Sequence, residues 1–66
     1  MDNIIPNIDG KIAVRIAGRV KKTTKQAAFV DCDGDNEWFP LACIRDNKNG
    51  TVDIQEWSFK LKFPNG

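Results

Sequence analysis

Apolar and polar residues alternate with a period of two in the segment KIAVRIAGRV, residues 11–20. This alternation is typical of a β-strand that has one buried face and one exposed face. Gly18 lies on the apolar face, where a bulge or a bend is expected because glycine has no side chain to pack there. The sequence therefore predicts a first strand over residues 11–20, and the residues that share its apolar face are Ile12, Val14, Ile16 and Val20.

The segment QAAFVDCD, residues 26–33, predicts a second strand with the same periodicity. Ala28, Val30 and Cys32 share one face of it and are expected to point into the core. Phe29 lies on the opposite face, together with acidic residues. That face places a large aromatic side chain where solvent or a partner can reach it.

Two shorter segments, EWF at residues 37–39 and TVDIQ at residues 51–55, predict strands three and four. Val52 and Ile54 are expected to point inward. Pro40 ends the third strand because proline has no N–H to donate to a β-ladder. Trp38 lies between a turn and this proline, and we expect it to be a core residue.

The last segment, EWSFKLKF at residues 56–63, favours a fifth strand, because its apolar residues alternate with polar ones. A helix over the same residues is the alternative, and it would place the apolar residues on two opposite sides. The apolar phase shifts between Ile54 and Trp57, so a bulge or a kink is expected near Gln55 or Glu56.

The acidic stretch DCDGDN, residues 31–36, has the alternating aspartates of a calcium loop but not its other ligands. An EF-hand loop needs glycine at position six and glutamate at position twelve, whereas this chain has Gly34 at the fourth position and Ala42 at the twelfth. A tight hairpin turn explains the stretch, with Gly34 and Asn36 accepting positive φ angles. No metal site is therefore expected.

Two more features complete the expected fold. The segment LACIRD, residues 41–46, is too short for a stable helix and predicts one 3-10 turn. The segment DNKNG, residues 46–50, predicts a second tight turn. Five short strands joined by tight turns indicate an all-β fold, a small antiparallel five-stranded barrel with one 3-10 turn.

The composition bounds the organisation of the chain. Its 66 residues predict one domain over residues 1–66, in which residues 1–10 form an irregular arm whose isoleucines, Ile4, Ile5 and Ile8, pack against the barrel. The chain has no long apolar run and no basic leader, so we expect a cytoplasmic protein that does not bind a membrane. It has no histidine, and its two cysteines are expected to be small buried residues. We therefore expect no enzyme, no cofactor and no metal.

The charges are unevenly distributed although the net charge is +1. The basic residues cluster in the first strand and in the hairpin loop VKKTTKQ, residues 20–26. On an extended strand they would form a spaced basic row that ends in a basic hairpin tip, and such groups contact phosphates without reading sequence. The candidate nucleic-acid-binding residues are Lys11, Arg15, Arg19, Lys21, Lys22 and Lys25.

The stretch EWFPLACI resembles the end of an SH3 domain, in which an aromatic-proline pair leaves a strand and enters a 3-10 turn that closes the barrel. The proline-peptide groove of SH3 domains uses tyrosines, and this chain has none. The resemblance therefore implies an SH3-like barrel and not peptide binding.

Residues 27–57 resemble a pattern in short phage and prophage reading frames: an aliphatic strand, Asp-Gly, a Trp-x-Pro turn, Ile, Gly-Thr-Val and Glu-Trp. After this Glu-Trp the pattern continues as a helix, whereas SFKLKF in this chain alternates. The resemblance implies origin and fold more than activity. The positions that fit are Trp38, Pro40, Ile44, Gly50, Thr51, Val52, Glu56 and Trp57.

These observations predict a non-enzymatic binding module of the phage type. The expected partner is a host or phage protein, for example a host or defence complex inhibited in the manner of anti-CRISPR proteins, because exposed aromatics are typical hot spots. Nucleic acid bound by residues 11–25 is the alternative. The candidate protein-binding residues are Phe29, Asp31, Asp33, Asp35 and Trp57.

Overall fold

A computed structural model describes residues 5–64 as two antiparallel sheets and one short helix. The elements in this range are β1 (Asn7–Ile8), β2 (Lys11–Ala17), β3 (Arg19–Thr23), β4 (Ala27–Cys32), β5 (Asp35–Pro40), a 3-10 turn (Leu41–Cys43), β6 (Ile44–Asp46), β7 (Thr51–Gln55) and α1 (Glu56–Lys62). The first sheet has the strand order β1-β2-β7-β6, and the second has the order β3-β4-β5. The fold is small and mostly β, as the periodicity predicts.

The predicted first strand is divided at Gly18, so that β2 belongs to one sheet and β3 to the other. The Gly18 N–H donates to the carbonyl oxygen of Gly50 at 2.9 Å. A side chain at position 18 would collide with the carbonyl oxygen of Asp31. The predicted bend is therefore present, and it depends on the close approach of two backbones that only glycine permits.

The core lies between the two sheets and is formed by the residues that the alternation places inward. Ala28 and Val30 from β4, and Val52 and Ile54 from β7, are completely buried. Phe39 from β5 and both cysteines are buried as well. The partly buried apolar residues packed against this cluster are Val14, Ile16, Val20, Leu41, Ile44, Phe59 and Phe63.

The N-terminal part of the first predicted strand differs from the expectation. Ile12 is 57% exposed, whereas Ala13 on the opposite face is buried. At this end of β2, strand β1 pairs with β2 and also contacts β7. The N-terminal arm is therefore partly a strand. Its Ile8 is buried, Ile5 is exposed, and Ile4 lies outside the described residues.

The two turns form where the sequence predicts them. Asp33 and Gly34 have φ angles of 56° and 101° between the paired ends of β4 and β5. The prediction of a positive φ at Asn36 was wrong, because Asn36 already pairs with Asp31 in the ladder. In the second turn, the positive φ angles belong to Lys48 and Gly50. Strand β5 ends at Pro40, and the predicted 3-10 turn follows directly.

The prediction of a fifth strand over residues 57–63 was wrong, because residues 56–62 form the helix α1. On this helix the alternating apolar residues separate into two pairs spaced four residues apart. Phe59 and Phe63 pack against the core, whereas Trp57 and Leu61 are exposed. On a strand these four apolar residues would all share one face. The helix instead brings only Phe59 and Phe63 to the core.

The charges of α1 also favour a helix. Glu56 lies in its first turn and Lys60 and Lys62 lie in its last turn, which suits the helix dipole. The Nζ atom of Lys60 lies 3.9 Å from a carboxylate oxygen of Glu56, one turn earlier. Neither α1 nor any other helical segment of residues 5–64 is long and apolar enough to cross a membrane.

We predict that Gly18→Ala destabilises the protein. The added methyl group meets the Asp31 carbonyl oxygen, and forcing extra atoms into tight packing usually costs about 1–3 kcal/mol. Urea denaturation measures the loss. Ala17→Ser, at the exposed neighbouring position, is the control. Equal stability of Gly18→Ala and the wild type would show that the strand bends without this close approach.

Candidate functional site

Two aromatic side chains stack on the outer face of the β3-β4-β5 sheet. Phe29 of β4 lies directly opposite Trp38 of β5 in the strand register. Their ring centroids are 5.0 Å apart and the ring planes are tilted by 42°. Trp38 is 39% exposed and Phe29 is half-buried. The pair therefore presents aromatic surface to solvent in a fixed position.

Two lysines lie over these rings. The Nζ atom of Lys22 is 5.3 Å from the centroid of Phe29 and 5.8 Å from that of Trp38. The Nζ atom of Lys21 is 5.9 Å from Phe29. All three distances are typical of cation–π contacts. We name the surface formed by Lys21, Lys22, Phe29 and Trp38 the aromatic–basic face.

A β-bulge explains why two consecutive lysines reach one ring. Val20 pairs with Val30, but the next residue to pair is Lys22, with Phe29. Lys21 is thus an extra residue in β3, and its side chain is not sent to the opposite face of the sheet. A bulge of this kind re-aims side chains at the edge of a sheet. Here it doubles the positive charge beside the aromatic pair.

The surroundings of the aromatic–basic face are mixed in charge. Arg19 lies opposite Asp31 in the register, so one basic residue and one acidic residue share this end of the sheet. Lys25 lies in the exposed turn between β3 and β4. The Thr24 hydroxyl accepts the N–H of Ala27 at 3.1 Å, which holds that turn in place.

The expectation that Trp38 is a core residue was wrong. Adjacent residues in a strand point to opposite faces, so Trp38 points away from the core face that Phe39 occupies. Phe39 takes the core position and is 1% exposed, which leaves Trp38 on the surface. The alternation within EWF contains this information. The same rule correctly places Phe29 away from the buried Ala28 and Val30.

Arg15 is bound to an acidic partner on the first sheet. Its Nε and Nη2 atoms donate to the two carboxylate oxygens of Asp53 at 2.8 and 3.0 Å. Asp53 is completely buried, and the Asn47 side chain donates to the same carboxylate at 3.1 Å. The hydrogen bonds from Arg15 hold the pKa of Asp53 below its usual value of 3.8, and this outweighs the effect of burial. Sequence reasoning missed this pair, because the two residues are 38 positions apart.

The expected row of Lys11, Arg15 and Arg19 is therefore interrupted. Gly18 separates the first two residues from Arg19, which belongs to the other sheet. Lys11 lies at the start of β2, where it pairs with Ile8 of β1. The structure instead brings Lys21 and Lys22 together with Phe29.

The candidate protein-binding residues are divided between two parts of the molecule. Asp31, Asp33 and Asp35 lie in and beside the β4-β5 turn, and a carboxylate oxygen of Asp31 accepts the Gly34 N–H at 2.8 Å. Trp57 lies on α1, which packs against β2 and β7. Its indole N–H donates to the Gln55 side chain at 2.6 Å, and the ring is 49% exposed.

Both cysteines are free and buried, as predicted. Burial, together with the negative charges of Asp31 and its acidic neighbours, raises the pKa of the Cys32 thiol to about 11. A thiol of this kind is protonated at neutral pH and is a poor nucleophile. Among residues 5–64, no group of three or more cysteine and carboxylate side chains is arranged to hold a metal ion.

The chain matches no protein-family model, no curated protein and no solved structure. A function must therefore be inferred from the residues and their geometry. The aromatic–basic face combines exposure, a fixed arrangement and a recognised binding chemistry, and it is the candidate functional site.

We predict that Asp53→Asn destabilises the protein at neutral pH and that the difference from the wild type disappears in acid. A carboxylate with a lowered native pKa contributes stability above its unfolded pKa, and this is lost as pH falls through the native pKa. Urea midpoints from pH 7 down to well below pH 3.8 measure the difference. Asp9→Asn, at an exposed turn, controls for the removal of one carboxylate. A difference that stays constant over this range would contradict the prediction.

Proposed function

We propose that this protein is a non-enzymatic binding module that holds single-stranded nucleic acid on the aromatic–basic face. The observation that carries the proposal is the exposed stacked pair of Phe29 and Trp38 with Lys22 over both rings. Proteins that bind single strands combine aromatic side chains, on which bases stack, with cations that follow the phosphates. This surface has both components, the aromatic rings and the lysines, at directly paired positions of neighbouring strands.

The mechanism begins with displacement of the lysines. In the free protein, Lys22 occupies the faces of the rings on which a base would stack. When a base stacks on Trp38, the lysine is released and its long side chain can reach the adjacent phosphate. Base stacking on an aromatic side chain is worth about 1–3 kcal/mol per base. The lysines add affinity that does not depend on sequence.

A single strand fits this surface better than a duplex. The faces of bases in a duplex are stacked on each other and cannot cover Phe29 or Trp38, whereas unpaired bases are free to do so. The face also has few cations, and Asp31 lies opposite Arg19 beside it. Binding by charge alone would therefore be weak, and the aromatic contacts must supply part of the affinity.

We also propose that the fold is an SH3-like barrel. Counting β2 and β3 as one bent strand gives a continuous five-stranded path, β6-β7-β2/β3-β4-β5. The pair Phe39-Pro40 ends β5 and enters the 3-10 turn that leads to β6, as in the SH3 resemblance of EWFPLACI. The helix α1, at the position where the phage pattern continues as a helix, supports a phage origin.

Binding of a host or phage protein, for example as an inhibitor of a defence complex, is the second candidate. One observation favours it: Trp57 and Leu61 are 49% and 71% exposed and lie four residues apart on α1. Residues with this spacing share one side of a helix, and an exposed tryptophan beside a leucine is a suitable anchor for a protein groove. This surface is separate from the aromatic–basic face.

We predict that a single-stranded oligonucleotide binds the wild type and that Trp38→Ala weakens this binding at least fivefold, a loss of about 1 kcal/mol, at the lower end of the range for one stacked base. Because Trp38 is partly exposed, the variant is expected to remain folded. Fluorescence anisotropy at low salt measures the affinity. Trp57→Ala, which removes a tryptophan of similar exposure, is the matched control and should bind as the wild type does.

The basic residues are tested in the same assay. Reversal of Lys21, Lys22 and Lys25 to Glu is expected to abolish binding, whereas Lys11→Glu should have little effect. The logarithm of affinity should fall by about 0.7 per phosphate contact for each tenfold rise in salt. Equal loss in Trp38→Ala and Trp57→Ala, or duplex bound more tightly than single strands, would contradict the proposed interface.

The second candidate predicts the reverse order of variants. A tagged wild-type protein incubated with lysate of the host should retain a protein that Trp57→Ala and Leu61→Ala lose and Trp38→Ala keeps. Quantitative mass spectrometry compares the four baits. A set of captured proteins that does not differ between Trp57→Ala and the wild type would exclude α1 as the docking surface.

A further inference from the structure

A groove of about 360 Å³ opens between α1 and the end of the barrel that carries the β4-β5 turn. Its base is apolar and includes Ile16 of β2 and the buried Cys32 of β4. Phe59 and Phe63 of the helical segment form one wall, and their ring centroids are 5.0 Å apart. This volume is within the range of small-molecule sites.

The rim of the groove is acidic. Asp33 and Asp35 both line it and both are exposed. At the base of the groove, burial raises the pKa of the Cys32 thiol, and the negative charges of Asp31, Glu37 and Asp35 add to this effect. An anionic ligand would be opposed by this field, and a cationic ligand would be attracted.

Two lysines of α1, which forms one side of the groove, have acidic partners. The Nζ atom of Lys62 lies 3.9 Å from a carboxylate oxygen of Glu37, and that of Lys60 lies 3.9 Å from Glu56. Neither lysine lines the groove. The residues that line the groove therefore include two carboxylates and no cation, and a cationic ligand would complement them.

We propose that this groove binds a small organic ammonium cation with an apolar body. The apolar body would lie between Ile16 at the base and the two phenylalanine rings of the wall. The ammonium group would reach Asp33 and Asp35 at the rim. The carboxylates attract the ammonium group, and the aromatic and aliphatic lining removes the apolar body from water.

The groove is independent of the proposed nucleic-acid interface. Cys32 points to the core side of β4, whereas Phe29 lies on its outer face. The proposal therefore goes beyond the proposed function, and either one can fail without the other.

The test uses 2-phenylethylammonium as the probe. Its two analogues are 2-phenylethanol, which is uncharged, and 3-phenylpropanoate, which is negatively charged at pH 7. Titration of the isotope-labelled protein at pH 7, followed by amide chemical shifts, gives both the location and the affinity. We expect saturable shifts confined to residues 16–17, 32–35 and 59–63. We expect the ammonium compound to bind more tightly than the alcohol, and the carboxylate to bind most weakly.

Variants assign the charge recognition to the rim. Combined Asp33→Asn and Asp35→Asn substitutions should weaken binding of the ammonium compound roughly two- to tenfold, as expected for exposed ion pairs, and should bring its affinity close to that of the alcohol. Asp9→Asn is the matched control, because Asp9 is also an exposed turn residue with a positive φ angle, 54° against 56° for Asp33.

Three results would overturn the proposal. The first is equal affinity for the ammonium compound and the alcohol in the wild type. The second is an ammonium affinity that the paired asparagine substitutions leave unchanged. The third is the absence of saturable shifts in the groove residues at millimolar probe.

Discussion

The close approach of the Gly18 backbone to the carbonyl of Asp31 is the constraint on which the rest of the structure depends. It lets the chain pass from β2 in the first sheet to β3 in the second with only Gly18 between them. Because β2 and β3 then lie in different sheets, Val52 and Ile54 from one sheet can pack against Ala28 and Val30 from the other. Phe39 is the largest buried side chain between them, and Phe59 of α1 packs against the same core.

The alternation of residues predicts most of this architecture. The inward faces of β4 and β7 and both tight turns follow from local pattern, because burial of one face fixes the phase of a strand. The helix was not predicted, since a period of two over seven residues is compatible with a strand as well as with a helix that has two apolar sides. Ile12 was predicted to be inward because the alternation of β2 was read alone. Strand β1, which contacts this end of β2 and β7, has no recognisable pattern of its own.

The candidate sites depend on contacts that sequence does not display. Phe29 was identified as an exposed aromatic, but its partner Trp38 was assigned to the core, because the alternation within EWF was not carried through to its neighbour Phe39. The Arg15–Asp53 pair joins β2 to β7, and no local pattern marks it. The groove beside Phe63 exists only because the last segment is a helix. For the ion pair and the groove, the missing information is a contact between distant segments, whereas the position of Trp38 follows from the local alternation.

Because Lys21 is the unpaired residue of the bulge in β3, its charge does not depend on the pairing of the sheet. Five residues of β3, Arg19–Thr23, face four positions of β4. A chain shortened by one residue at Lys21 would keep every other cross-strand pair of β3 in its present register. The number of lysines beside Phe29 can therefore change by one through a deletion, with no rearrangement of the core. This position therefore offers a way to adjust the charge of a surface by changing the length of a strand while the paired residues stay the same.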